Sequence, residues 1–191
     1  TLKNPTKPGY EFTGWTGTGL YGLTKEVTIE KGSSGNREYT ANWEKIEYTI
    51  TYPMVYDKVE SNPKEYTLDT LKGITLKQPA DRKGYTFIGW SMVIDNNSSY
   101  ILPKDNPEIP AGTYGNLTLS GIWLAENQTL KFHANGGKFA DGTETYVISG
   151  AYDSPLSLDV TNPTRSGYRF RGWFTDKECT QLFEASNIET M

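Results

Sequence analysis

One phrase occurs three times in this 191-residue chain. It reads Pro5-Thr6-Lys7-Pro8-Gly9-Tyr10-Glu11-Phe12-Thr13-Gly14-Trp15, then Pro79-Ala80-Asp81-Arg82-Lys83-Gly84-Tyr85-Thr86-Phe87-Ile88-Gly89-Trp90, then Pro163-Thr164-Arg165-Ser166-Gly167-Tyr168-Arg169-Phe170-Arg171-Gly172-Trp173. The shared skeleton is Pro, a short basic stretch, and Gly-Tyr-x-Phe-x-Gly-Trp. The tryptophans are 75 and 83 residues apart. A second landmark repeats with a shift of 80, Gly35–Trp43 against Gly115–Trp123. That period exceeds the roughly 20–50 residues of a solenoid repeat and suits a row of small domains.

Strand signals dominate between the landmarks. Tyr39, Ala41 and Trp43 alternate with polar residues, as do Tyr48, Ile50 and Tyr52, and Leu130, Phe132 and Ala134. This period of two marks strands with one face toward a core. In the phrase, Tyr10, Phe12 and Gly14 share one parity and Trp15 takes the other, so the glycine before each Trp predicts a bulge. Asn135-Gly136-Gly137 reads as a tight hairpin turn. Asn62–Asp69 or Phe183–Ile188 is a candidate for one or two helical turns. The landmarks divide the chain into residues 1–45, the C-terminal part of a first module, 46–125, a complete second module, and 126–191, the N-terminal part of a third. The linkers 44–47 and 125–128 are short and lack Gly and Pro, which predicts close neighbours with limited freedom. The complementary truncation of the two ends leaves two alternatives: disordered end fragments, or a third module of one molecule completed by the first half-module of the next, as in strand addition.

Composition sets what the core is made of. Apolar content is 36%, so the 13 Tyr, 7 Phe and 5 Trp must supply much of the buried area. The predicted repeat core is Tyr10, Phe12, Trp15 and Trp43; Tyr85, Phe87, Trp90 and Trp123; and Tyr168, Phe170 and Trp173. A net charge of −4 offers no basic excess for nucleic acid. No apolar run approaches the roughly 18 residues that span a bilayer, so no membrane insertion is expected of these residues. The chain opens on Thr1 with no signal peptide in view, and any export signal or wall anchor is expected to lie outside it. With one cysteine, Cys179, no internal disulfide can form.

The phrase, with the Asn that precedes it at Asn4 and Asn162, resembles the Listeria–Bacteroides repeat, also called the internalin B-repeat. Tyr39-Thr40-Ala41-Asn42-Trp43 is similar to that family's closing strand, and Phe132-His133-Ala134-Asn135-Gly136-Gly137 to its opening strand and turn. The middle module departs, with Pro53-Met54-Val55-Tyr56 in place of Asn-Gly-Gly and an extra segment, Met92–Pro110. The resemblance implies a mostly β, α+β architecture of tandem β-grasp, ubiquitin-like modules, one complete and two partial. It also implies a place on secreted or wall-anchored bacterial surface proteins, as a spacer or adhesion module, with no catalytic residues or cofactor.

The residues themselves offer little chemistry. His133 is the only histidine and lies on the strand face opposite Phe132 and Ala134, a surface position. Gly17, Gly19 and Gly22 have the spacing of a nucleotide loop without its strand and helix, and read as a plain loop. Asp141, Glu144 and Asp153 lack a calcium-loop spacing. A Lys–Asn isopeptide cross-link would need a buried Lys, Asn and acid together. Tyr21, Met92, Tyr100 and Tyr114 fall in the segments that differ between copies. They are the candidate contacts for a glycan or host-protein partner, the alternative to a non-catalytic stalk; neighbouring modules are the other expected partners.

Overall fold

The computed structural model describes residues 1–71, 73–95 and 98–184. Its elements are nine strands and one 3₁₀ turn, Val55–Asp57. The fold is thus mostly β, with no α-helix among the described residues. Contacts divide it into two units, Thr1–Leu124 and Ala125–Met191.

In the first unit, β1 (Tyr10–Gly17) and β2 (Tyr39–Lys45) pair antiparallel. A five-stranded sheet follows. Its strands are β3 (Tyr48–Thr51), β4 (Glu65–Tyr66), β5 (Tyr85–Ile94), β6 (Ser98–Pro103) and β7 (Leu117–Ala125), in the order β4-β3-β7-β5-β6. β3 runs parallel to β7, with Ile50 opposite Leu117, and antiparallel to β4. In the second unit, β8 (Asn127–His133) pairs antiparallel with β9 (Thr145–Ala151).

The recurring phrase begins as a tight turn. The amide of Tyr10 donates to the Lys7 carbonyl, Tyr85 to Arg82 and Tyr168 to Arg165, at 3.0–3.1 Å. The glycine between them has φ of 76°, 75° and 79°, the positive value required at the third position of a type II turn. The strand then bulges where the parity break predicts. Phe12 faces Trp43 but Gly14 faces Asn42, so Thr13 is the extra residue. The glycine takes φ of 149°, 152° and 141° in the three copies, a region closed to side chains. The bulge lets Trp15 and Trp90 turn back onto the face that already holds Phe12 and Phe87.

Alternation then builds the cores. Ile50, Tyr66, Leu71, Leu76, Phe87, Trp90, Met92, Leu102, Ile109, Leu117 and Leu119 form one buried cluster in the middle module. Phe132, Ala134 and Phe139 form a smaller one in the second unit, with Trp173 packed against it. The helical turn proposed at Asn62–Asp69 is not there. That segment holds β4, and the buried Asn62 side chain bonds the backbone of Lys77 in both directions, which fixes it as a sheet-side loop. Of Phe183–Ile188, only Phe183 and Glu184 lie among the described residues. Asn135-Gly136 does form a turn, with φ of 47° and 81° and Gly137 N–H bonded to the Ala134 carbonyl. It does not lead straight into β9. Lys138 pairs with Thr164 instead, and the chain returns to β9 only at Thr145.

Two outcomes follow. A Cβ on Gly89 would sit 2.5 Å from the Leu102 backbone oxygen, whereas one on Gly172 would meet side chains alone, the tip of Leu182 at 3.0 Å and the Phe174 ring at 4.0 Å. Gly89→Ala is therefore expected to cost the first unit about 2–3 kcal/mol in denaturant unfolding, and Gly172→Ala to cost the second unit less. Burial also pushes the phenols of Tyr52 and Tyr66 well above the ordinary 10.0. The neutral form is the one that folds, so this stability is fully present below pH 10 and is lost as pH rises beyond it. Urea midpoints of the first unit should fall above pH 10, and Tyr52→Phe should flatten that slope.

Candidate functional site

Each copy of the phrase packs its own aromatic set. Phe12 sits edge-to-face with Trp15 at 5.4 Å and with Trp43 at 5.6 Å. Phe87 repeats this geometry with Trp90 at 5.4 Å and Trp123 at 5.3 Å. A phenyl ring thus bridges the Trp of the phrase and the Trp of the closing strand, an arrangement that each pair favours by about 0.5–1.5 kcal/mol beyond burial. In the third copy, Phe170 meets Trp173 at 5.1 Å and Phe132 meets the same indole at 4.9 Å. No second tryptophan contacts Phe170 among the described residues.

The middle module adds a buried acid. Asp57 is fully buried at the end of the 3₁₀ turn. Its carboxylate accepts from Gly121 N–H at 2.7 Å and from the Trp123 indole N–H at 2.9 Å. A Cβ on Gly121 would lie 2.5 Å from that carboxylate, so glycine is needed for the approach. Asp57 and Asn62 are the buried polar side chains among the described residues, and every described lysine is exposed. The buried Lys of an isopeptide triad is therefore missing from this set.

The tyrosine of the phrase plays another part than core. Lys7 Nζ lies 3.7 Å from the Tyr10 ring centre, Arg82 Cζ 3.8 Å from that of Tyr85, and Arg165 Cζ 4.0 Å from that of Tyr168. Arg82 also covers Tyr56 at 4.4 Å. Tyr168 is 68% exposed, which corrects its assignment to the core. The turn aims both side chains to one side, and the stack closes it. The signal was in the sequence, because all three basic residues stand three positions before their Tyr.

The candidate ligand contacts do not converge. Tyr21 is fully exposed in the loop after β1, Tyr100 is half exposed on β6, and Tyr114 is half exposed before β7. No ring contact joins them among the described residues. Met92 is sealed in the core on β5, not in a loop, because β5 continues through the segment read as variable. Gly19 and Gly22 face open space and no helix follows them, so this loop lacks the frame of a phosphate site. His133 is exposed on β8 and Cys179 is exposed and free. No cluster of three His, Cys, Asp or Glu occurs among the described residues.

A concave feature lies in the second unit. A groove of about 1180 Å³ runs between β8 and the phrase Tyr168–Trp173. Leu130, Phe132, Phe170 and Trp173 are among its apolar lining residues, and Lys131, His133, Arg165, Arg169 and Arg171 among its exposed polar ones.

The sequence pattern of the Listeria–Bacteroides repeat domain matches residues 48–119 and 129–191, and that of the divergent InlB B-repeat domain matches residues 1–47. The chain belongs to the Listeria–Bacteroides repeat family. Two proteins of Evansella cellulosilytica are similar. One, provisionally named a Gly-rich membrane protein, is 27% identical over 94% of this chain and 19% of its own length. The other, provisionally named a membrane protein, is 26% identical over 91% of this chain and 24% of its own. The chain thus spans about a fifth to a quarter of these relatives. No solved structure matches it. No helix among the described residues is long and apolar enough to cross a membrane.

The buried acid gives a test. Asp57→Ala should leave two part-buried donors unpaired and destabilise the first unit by about 2–3 kcal/mol in denaturant unfolding, and pairing it with Trp123→Phe should cost less than the two effects added.

Proposed function

We propose that this chain is a non-catalytic repeat region of a bacterial cell-surface protein, a stalk that spaces or presents an adhesive region. The observation that carries the reading is the junction inside the first unit. Only Ile46 and Glu47 separate β2 from β3. Ile46 N–H donates to the Gly9 carbonyl at 3.0 Å, tying the linker to the turn of the phrase. Lys45 pairs with Asp69 at 2.5 Å, and the Tyr10 hydroxyl reaches the same carboxylate at 3.2 Å. Gly9 itself faces the Leu68 side chain. The ion pair is half exposed and orients more than it stabilises. Together these contacts make the phrase of one module the seat of the next, as a chain of closely coupled beads requires.

We infer that the middle module is a β-grasp. Counted within the module, its sheet has the order 2-1-5-3-4 with the first and last strands parallel at the centre, which supports that reading. The turns around Thr67–Leu71 and Gly73 stand where such a fold usually carries its helix.

A ligand-binding module is the second reading, favoured by the exposed Tyr21 and Leu23 on either side of Gly22 in one loop. Exchange in the whole protein separates the two. Replacing residues 1–124 with an unrelated rigid spacer of equal length should keep antibody access to the distal end and adhesion unchanged. Retention on a glycan or host-protein array that Tyr21→Ala/Leu23→Ala abolishes would overturn the stalk in favour of binding.

A further inference from the structure

Asn135-Gly136 is the only Asn-Gly pair in the chain, and both residues are exposed. Asparagine is a thermolabile side chain. It is most so before glycine, where no side chain obstructs approach of the next backbone nitrogen to its carboxamide carbon. The Gly136 nitrogen attacks that carbon, ammonia leaves, and a five-membered succinimide forms. Water then opens the ring to aspartate or isoaspartate. The net change is loss of NH3 and gain of H2O, with no oxidant or other reagent.

The fold opposes the first step. Asn135 and Gly136 take φ of 47° and 81°, the two positive values of a type I′ turn, closed by Gly137 N–H on the Ala134 carbonyl at 2.9 Å. Ring closure must rotate the peptide plane between Asn135 and Gly136 out of that turn. Arg165 holds the same plane. Its Nη1 donates to the Asn135 carbonyl at 2.9 Å, and a Cβ on Gly136 would lie 3.1 Å from its Cζ, so the guanidinium covers the pair. Arg165 is itself stacked on Tyr168 at 4.0 Å, and its neighbour Thr164 exchanges two backbone bonds with Lys138 at 2.8 Å. The middle module makes the corresponding contact by other means. There Arg82 covers Tyr56, in the turn that follows β3, at 4.4 Å. A hydrogen bond from a cation is stronger than a neutral one. The same bond makes Gly136 N–H more acidic, but the plane must turn before the nitrogen can reach the carboxamide, so geometry decides over acidity.

We propose that Asn135-Gly136 is a site of spontaneous deamidation and that Arg165 is the lock that sets its rate. Each event puts a new carboxylate beside Arg165, and isoaspartate also lengthens the backbone of the turn by one methylene. The proposal does not depend on the stalk reading.

The test incubates the intact 191-residue chain at mildly alkaline pH and follows aspartate and isoaspartate at position 135 by peptide mapping and mass spectrometry. In concentrated urea Asn135 should react before every other asparagine. In the folded chain it should react more slowly, and Arg165→Ala should speed it roughly tenfold. Arg165→Lys keeps a cation but loses the planar fork, and should fall in between. Loosening of the whole second unit would also speed the reaction, so Gly172→Ala, which meets only Leu182 and Phe174, serves as the comparison. Denaturant unfolding puts the variants on one stability scale. The lock requires Arg165→Ala to react faster than Gly172→Ala at equal stability; should Arg165→Ala not fold, the same comparison is read from Arg165→Lys. Equal rates at equal stability, a slower reaction without Arg165, a folded chain that reacts as fast as the unfolded one, or another asparagine reacting first in urea would overturn the proposal.

Discussion

The phenylalanine of the phrase ties together the first and middle modules. Phe12 and Phe87 each stand edge-to-face between two tryptophans that arrive from different strands, and the four centroid distances fall between 5.3 and 5.6 Å. The geometry depends on a single backbone device. Without the bulge, strict alternation would send the Trp, three residues after the Phe, to the solvent face. Glycine at positive φ adds the bulge and returns the indole to the core. A chain with 36% apolar residues can hold a compact module this way, because three large rings bury what many aliphatic side chains otherwise would.

The same turn that starts the phrase serves the assembly. Its hydrogen bond and its basic-on-tyrosine stack fix the start of the strand at little cost in burial. In the first copy the turn also receives the following linker at Gly9 and supplies Tyr10 to Asp69. Core formation and module coupling therefore draw on neighbouring residues of one motif. A protein that grows by repeating the motif repeats the joint with it.

Much of this was legible from residue order. The parity break at Gly14 announced the bulge, and the recurrence of Phe and Trp announced the core. Other features were not. Tyr168 stands in the same pattern as Tyr85, yet one is 68% exposed and the other half-buried, because only the second lies in a strand, β5, and has an added ring, Tyr56, on its arginine. Met92 looked like loop because it follows the landmark Trp; it is core because β6 pairs along the whole extension of β5, with Tyr100 opposite Met92. Asp57 gave no signal at all. Its role exists only through Gly121 and Trp123, more than sixty residues away.

By itself the sequence determined the local conformation of the phrase: the type II turn, the glycine torsion before the Trp and the Phe–Trp ring contact recur in all three copies, since they rest on φ preferences and on contacts a few residues apart. Tertiary structure decided whether that conformation becomes a strand. Tyr10–Gly17 and Tyr85–Ile94 are strands because β2 and β7 lie beside them, and Tyr168–Trp173, with the same glycine torsion, has no such neighbour among the described residues. A torsion is a property of the residue that adopts it. A ladder of hydrogen bonds belongs to two segments, and no copy of the phrase can encode its partner.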